Sequence, residues 1–280
     1  MFRLTETNTN DLRVRQVIFA RNKDVAETLE NAYKNGVFEN VSASVQEKKL
    51  YCDSLVLEIG RKCNMKCAHC LRGNAEDCSM QFKTAVRALN LFDSIGTITF
   101  SGGEPTLYSE EIIHIINYII FENIEVGNFY MATNGTNLSI DLMIALCRLY
   151  AHCYDKDCCS LEVSRDDYHE NVPVPEFMTA FSFFGERGRH TPESALLIEG
   201  RAEENGIGGR KPKREYEFDF FEEDETVELV YVNCFGELFA DCDYSYETQR
   251  RIWAYSLDDI YNGDISPEEV FENSYKRKYA

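Results

Sequence analysis

Long apolar runs and positive charge are both scarce in this sequence of 280 residues. The longest apolar run, Ile112 to Phe121, spans about ten residues and contains His114 and Asn117, whereas a membrane span needs about 20. Lys and Arg number 29 against 48 Asp and Glu, which gives a net charge of −19. This charge repels a phosphate backbone, and the short basic segment 210–214 does not offset it. We therefore expect neither a membrane span nor an extensive nucleic-acid contact.

An apolar leader is also missing from the first residues, and we expect no secretory signal. The 11 cysteines then favour a reducing compartment, where thiols act as ligands or packing groups instead of forming disulfides. We expect a cytoplasmic protein. Hydrophobic residues make up 44% of the sequence, which suits one α/β unit with a small appendage.

Three of the cysteines, Cys63, Cys67 and Cys70, form a C-x3-C-x2-C array. The array follows the apolar run Leu55 to Ile59, which predicts a strand that ends at Gly60. A loop at the carboxyl end of a strand is where parallel α/β enzymes hold cofactors. Because an iron–sulfur cubane normally takes four thiolates, three local thiols indicate a [4Fe-4S] cluster with one iron open to another ligand.

Helical and strand patterns alternate after this loop. The sequence predicts helices over 82–92, 109–122, 139–150 and 177–184, and strands over 97–100, 128–132, 161–163 and 195–200. Such alternation is typical of a parallel sheet with right-handed crossovers.

The segment Ser101-Gly102-Gly103-Glu104-Pro105 lies one β/α unit after the cysteine array. Glycines allow a ligand to approach the backbone closely, and the Glu104 carboxylate can receive an ammonium group. Together with the cysteine array, this segment resembles the radical S-adenosylmethionine (radical SAM) superfamily. His69 fits the preference of that superfamily for an aromatic residue just before the last cysteine. The resemblance implies an α/β fold, a partial (β/α) barrel of radical SAM type with a small C-terminal β-rich extension.

The resemblance also implies a chemistry. S-adenosylmethionine (SAM) would chelate the open iron, and one electron would cleave it to a 5'-deoxyadenosyl radical that abstracts hydrogen. The implied cluster ligands are Cys63, Cys67 and Cys70. The implied SAM contacts are Gly102, Gly103, Glu104, Asn134 and Ser164. A reductant such as flavodoxin or ferredoxin would supply the electron.

Several of these residues have other interpretations. The three cysteines with His69 would satisfy a structural zinc ion, although zinc leaves the glycine pair without a role. Asn134 is also the first residue of an Asn-Gly turn, and Ser164 is typical of a helix cap. Asp166 and His169 are candidates to face the substrate.

A second cysteine group precedes the strand 161–163. This position places it at the amino-terminal end of the barrel strands, opposite the end that carries the cysteine array. Its members are Cys147, Cys153, Cys158 and Cys159. We expect buried free thiols there, with a zinc site or a disulfide between Cys153 and Cys158 as the alternative.

We divide the chain into a helical extension over 1–50, the barrel over 51–212 and a C-terminal extension over 213–280. The pattern of Asp24 to Tyr33 predicts a helix in the first part. Residues 201–209 resemble a flexible connection. In the last part, the patterns of 215–220 and 226–232 predict a small β meander that turns at 234–236.

The last part is similar to the twitch and SPASM extensions of peptide-modifying radical SAM enzymes. Only Cys234 and Cys242 lie in it, and Gly236 precedes Cys242 by one residue more than the usual G-x4-C. We therefore expect a degenerate extension that helps to bind substrate, with an auxiliary cluster as the alternative.

The expected function is that of a radical SAM enzyme acting on a peptide or protein. One alternative is a nucleoside-type small molecule as substrate. The other is a non-catalytic iron–sulfur electron carrier, which would not need the SAM contacts implied for residues 102–104.

Overall fold

The computed structural model describes residues 2–10, 14–20, 23–37, 41–47, 50–188, 193–213 and 216–272. Its amino-terminal unit is a three-stranded antiparallel sheet with one helix packed against it. The elements are β1 (Phe2–Asn8), β2 (Val14–Ala20), α1 (Lys23–Lys34) and β3 (Val41–Glu47), with β1 in the middle. The helix predicted over Asp24 to Tyr33 is confirmed. The expectation of a helical extension over 1–50 was incomplete, because three strands accompany the helix.

Within the described residues, the central sheet has nine strands and is mostly parallel. Five parallel neighbours are β4 (Tyr51–Gly60), β5 (Ser94–Gly102), β6 (Glu125–Thr133), β7 (Ser160–Ser164) and β8 (Phe184–Arg187). Leu55 to Gly60 are all buried, as in a strand covered on both faces. The α/β class with a largely parallel sheet is therefore confirmed.

Three helices connect the first four of these strands: α2 (Phe82–Leu89), α3 (Ser109–Phe121) and α4 (Ile140–His152). α4 begins where the Ser139 hydroxyl accepts a hydrogen bond from the Leu142 amide at 3.2 Å, which satisfies one amide of the first turn. The inner face of α4 buries Leu142, Leu146 and Leu149, each contributing about 1.5–3 kcal/mol. The predicted helices 82–92, 109–122 and 139–150 are confirmed with small shifts of their ends.

Two predictions between β7 and residue 200 were wrong. Residues 177–184 form a 3-10 turn at Glu176–Ala180, a further turn that contains Phe183, and the start of β8. Phe183 packs against Phe129 with ring centroids 5.3 Å apart. Residues 195–200 form no strand: a 3-10 turn at Glu193–Ala195 is followed by a single bridge between Leu197 and Arg210.

The carboxyl-terminal part contains α5 (Arg201–Glu204), β9 (Phe220–Phe221), β10 (Thr226–Val232), β11 (Glu237–Phe239), α6 (Tyr246–Gln249), β12 (Tyr255–Ser256) and α7 (Leu257–Asn262). β10 confirms the predicted strand and lies parallel to β4, with Val230 opposite Leu55. The turn at 234–236 is also confirmed, and β11 and β12 continue outward from β10. The strand predicted over 215–220 is mostly absent from the described residues, where only Phe220 belongs to a strand, β9. Residues 226–256 thus extend the central sheet, and the domain boundary near 212 stays a prediction.

None of the described helices combines the length and the apolarity needed to cross a membrane.

Candidate functional site

A cavity of about 440 Å³ opens at the carboxyl ends of the parallel strands. Its walls include every residue proposed from the sequence as a cluster ligand or SAM contact: Cys63, Cys67, Cys70, Gly102, Gly103, Glu104, Asn134 and Ser164. These residues come from four loops that are far apart in sequence, so the topology of the sheet brings them together.

The cysteine loop is anchored by a distant segment. Its Cys70 amide donates to the Cys67 carbonyl at 3.2 Å, which closes a turn inside the array. The Cys70 carbonyl then accepts from the Arg201 amide at 2.9 Å, and Asn205 Nδ2 donates to the Ala68 carbonyl at 3.0 Å. The expectation of a flexible connection over 201–209 was therefore wrong for its first residues, which form α5 and hold the cysteine loop.

The three thiols are partly exposed to the cavity. Burial raises the pKa of Cys63, and it raises that of Cys67 to about 11, so a metal must displace protons when it binds these two. Among the described residues, two groups bring three ligand atoms within 4.8 Å of one another, and the three cysteines are not one of them.

Gly102 and Gly103 make room for backbone. A Cβ atom on Gly102, whose φ is +138°, would lie 2.1 Å from the Gly60 carbonyl oxygen. One on Gly103 would lie 2.3 Å from the Lys62 carbonyl oxygen. The sequence interpretation assigned the missing side chains to ligand access. The structure shows that they let β5 end directly against the start of the cysteine loop.

Glu104 is buried and organises the cavity floor, with 2% of its surface exposed. Its Oε1 accepts hydrogen bonds from the Thr106 amide at 3.1 Å and from the Thr106 and Thr133 hydroxyls at 2.6 Å each. Its Oε2 accepts from the Asn134 amide at 2.8 Å. Each carboxylate oxygen has two lone pairs, and Oε2 accepts one hydrogen bond here, so it retains capacity for one more donor from the cavity.

Asn134 joins this floor to the cysteine loop. Its Nδ2 donates to Asn64 Oδ1 at 2.8 Å, and its Oδ1 accepts from the Thr136 amide at 3.0 Å. The following Gly135 has a φ of +81°, as the Asn-Gly turn interpretation expects. The turn is therefore present, and contact between Asn134 and SAM stays a prediction.

The cavity wall also carries Asp166 and His169, which follow Ser164 at the end of β7. Asp166 Oδ1 accepts hydrogen bonds from the amides of Tyr168 at 2.9 Å and His169 at 3.0 Å. Burial alone would raise the pKa of Asp166, but these bonds and the His169 ring hold it below its ordinary value. Asp166 is therefore a fixed carboxylate that faces the cavity.

Four arginines in the cavity wall had no signal in the sequence: Arg72, Arg187, Arg201 and Arg210. Arg201 Nε is buried and has no hydrogen-bond partner among the described residues. The sequence analysis missed it because 201–209 carries no strand or helix pattern long enough to place it. Only the docking of α5 on the cysteine loop shows where Arg201 lies.

The remaining cysteines lie outside the cavity walls. Cys153 and Cys159 are buried free thiols, as expected, whereas Cys158 is exposed. Cys234 Sγ lies 3.5 Å from Cys78 Sγ, and Cys242 Sγ lies 3.9 Å from an Asp243 carboxylate oxygen. The two cysteines of the C-terminal extension thus have different neighbours.

Comparisons with known proteins gave distant similarities. No family model matches the chain. An uncharacterized protein of Methanocaldococcus jannaschii is 40% identical over 68 residues, which cover 23% of each chain. The chain therefore spans about a quarter of the length of the curated relative that it matches.

Solved structures with a similar chain course include BtrN in complex with AdoMet and 2-DOIA, at 15% identity and a TM-score of 0.48, covering 82% of this chain and 87% of that one. Native anSMEcpe with bound AdoMet and Cp18Cys peptide is 14% identical with a TM-score of 0.46, and the match covers 81% of this chain and 82% of that one. Streptococcus suis SuiB bound to the precursor peptide SuiA is 13% identical with a TM-score of 0.42, and the match covers 86% of this chain and 71% of that one. Since these TM-scores lie below 0.5, the assignments below rest on the residues of this chain.

Proposed function

We propose that this chain is a radical SAM enzyme. It would bind a [4Fe-4S] cluster through Cys63, Cys67 and Cys70, and cleave SAM reductively to a 5'-deoxyadenosyl radical that abstracts hydrogen from a substrate. One observation carries the proposal: the three thiols and the segment 102–104, separated in sequence, line the same cavity of about 440 Å³.

The donor set suits such a cluster. Three thiols leave one iron of a cubane for an exogenous ligand, and all three line the cavity. When bound, the cluster supplies the electron that cleaves the sulfonium.

The protein's own residues would position SAM. Glu104 Oε2 has capacity for the ammonium group, and Thr133 and the Asn134 amide keep that carboxylate in place. Arg201, with its buried and unpartnered Nε, offers a positive charge to the methionine carboxylate.

A peptide or protein is the substrate class that we propose. The sheet is open, because its path runs from β12 to β8 within the described residues without closing. An open edge at β8 gives an extended substrate access to the cavity from the side. A nucleoside-type small molecule is the alternative, and flavodoxin or ferredoxin remains the proposed reductant.

The deciding experiment is anaerobic reconstitution followed by SAM turnover. We expect about one cubane per chain, and slow release of 5'-deoxyadenosine when dithionite and SAM are added. Cys67→Ala removes both, whereas Cys158→Ala, at an exposed thiol outside the cavity, changes neither. A normal cubane that never cleaves SAM under reduction would favour the electron-carrier alternative.

A further inference from the structure

A second group of ligating side chains lies in the wall of the same cavity. It consists of His69, from inside the cysteine array, and Asp166 and His169, from the loop after β7. One ligand atom from each residue lies within 4.8 Å of the other two. All three side chains are mostly buried, with exposures of 14%, 11% and 17%.

His69 lacks hydrogen bonds among the described residues. Its Nδ1 is buried and has no partner, and its Nε2 lies 3.8 Å from Asp166 Oδ2, which is too long for a hydrogen bond. A metal ion bound to Nε2 would give this nitrogen a partner in place of a hydrogen bond. Nδ1, whose burial without a partner costs about 1–3 kcal/mol, would carry the proton of the neutral imidazole.

The distances suit one metal ion. Bonds of about 2.0–2.2 Å, at angles between the octahedral and the tetrahedral value, place ligand atoms roughly 2.8–3.6 Å apart. His169 Nδ1 lies 2.8 Å from both Asp166 oxygens, a hydrogen-bonding contact that a shared ion would replace, and the His69 Nε2 to Asp166 Oδ2 distance is 3.8 Å. A shift of a few tenths of an ångström brings His69 Nε2 within range of an ion shared with Asp166. The ligand atoms of His69 and His169, at most 4.8 Å apart, must close to the same range.

The ligands are also held in place by their neighbours. The Tyr168 and His169 amides fix Asp166 Oδ1, and the Tyr168 ring packs on the His69 ring with centroids 4.7 Å apart. Such outer contacts orient the first ligands of protein metal sites. Arg187 and Arg201 in the same wall oppose the charge of a cation, so one carboxylate and two imidazoles must outweigh them.

We propose that His69, Asp166 and His169 form a mononuclear site for Zn²⁺, one of the first-row divalent transition ions. Two imidazoles and one carboxylate favour such ions over Mg²⁺ and Ca²⁺, which prefer oxygen ligands. Three protein ligands leave coordination positions free, and these face the cavity, where an oxygen or nitrogen donor of a substrate would bind. The site lies beside the proposed cluster and needs none of its cysteines.

The test separates this site from the cluster. The triple variant Cys63→Ala, Cys67→Ala, Cys70→Ala is titrated with Zn²⁺ under anaerobic conditions, and the bound ion is studied by X-ray absorption. We expect one equivalent with a nitrogen and oxygen shell at about 2.0–2.2 Å and no sulfur shell at about 2.3 Å. Adding His169→Gln should weaken binding by at least about 100-fold, since losing an outer partner alone costs 10–100-fold.

Two controls complete the design. His114→Gln, at an exposed histidine on α3 outside the cavity, should leave Zn²⁺ binding unchanged. If the triple variant does not fold, the cluster-loaded wild type and its Asp166→Asn variant are compared for zinc content by mass spectrometry, and only the wild type should hold the extra ion.

A sulfur shell, or binding that survives His169→Gln, would overturn the proposal, as would equal zinc in wild type and Asp166→Asn. Loss of SAM cleavage would not affect it, and absence of zinc would leave the radical SAM proposal standing.

Discussion

At the scale of single residues, the centre of the molecule contains an ion pair between Glu58 and Arg61, which are 0% and 1% exposed. Arg61 Nε donates to Glu58 Oε1 at 2.7 Å, and its guanidinium also donates to Gln249 Oε1 at 2.6 Å and lies 4.3 Å from the Tyr246 ring centre. Arg61 directly precedes the cysteine loop. The pair therefore joins the first cavity loop to the carboxyl-terminal part of the chain.

Removing one partner should be costly. Arg61→Met leaves the Glu58 carboxylate buried without its main counter-charge, and we expect a loss of about 3–5 kcal/mol in the free energy of unfolding. Urea denaturation measures it. The matched control is Arg251→Met, which removes an exposed ion pair with Glu247 and should cost less than about 1 kcal/mol. Equal losses in the two variants would contradict the importance of the buried pair.

The same carboxylate predicts a pH dependence. Burial would raise the pKa of Glu58, but Arg61 and Arg72 hold it below its ordinary value. Its contribution is then complete above the unfolded-state pKa of about 4.3 and is lost as the pH falls through the lower folded-state pKa. We expect Glu58→Gln to destabilise the protein more at pH 7 than near pH 3, as measured by urea unfolding at both values. A cost that is the same at both would show that charge is not the cause.

Gly102 gives a second residue-scale prediction. Gly102→Ala places a Cβ 2.1 Å from the Gly60 carbonyl oxygen at a φ of +138°, so the variant combines overpacking with backbone strain. We expect a loss of about 2–5 kcal/mol in stability and a lower iron content after reconstitution. Gly185→Ala in β8, where a Cβ meets nothing within 4 Å, should change neither by much. An intact Gly102→Ala cluster would show that the cysteine loop tolerates displacement.

At the scale of elements, the sequence predicted the helices and strands that show a hydrophobic pattern within their own residues. β4, β5 and β6 are apolar runs, and α3 and α4 have helical spacing, so each was found from local signals. The failures depend on distant contacts. The segment 177–184 has helical spacing, yet Phe183 packs on Phe129 from a turn just before β8.

The difference between local patterns and distant contacts also explains which cavity residues could be predicted from the sequence and which could not. Cysteine spacing and the glycine pair are local signals, and they identified one half of its wall. Arg201 enters it because the Arg201 amide donates to the Cys70 carbonyl and Asn205 donates to the Ala68 carbonyl, about 130 residues earlier in the chain. No local pattern records such a contact, because hydrogen bonds to backbone carbonyls do not depend on the residue that offers them.

The docking of α5 on the cysteine loop is testable. Asn205→Ala removes a hydrogen bond to the Ala68 carbonyl that should contribute about 0.5–1.5 kcal/mol. We expect faster loss of iron to a chelator with unchanged circular dichroism. The exposed Asn171→Ala serves as the control and should lose iron at the wild-type rate. Identical rates in all three proteins would mean that α5 does not stabilise the loop.

At the scale of the whole molecule, the question is how many clusters the chain holds. A second cubane would need about four converging ligands. Cys234 has Cys78 as its sulfur neighbour at 3.5 Å, whereas Cys242 lies beside Asp243 and packs with the separate apolar cluster around Tyr231. The described structure thus divides the cysteines of the extension between two places.

We therefore predict that the triple variant Cys63→Ala, Cys67→Ala, Cys70→Ala retains essentially no iron after anaerobic reconstitution, while the wild type holds about four irons per chain. Cys153 and Cys159 cannot compensate, because they are buried outside the cavity. Iron analysis and electron paramagnetic resonance after reduction measure the outcome. The matched control, Cys234→Ala with Cys242→Ala, should keep its four irons. A triple variant that stays brown with a cubane signal would show that the extension assembles an auxiliary cluster, and would require Cys242 to move toward Cys234 and Cys78.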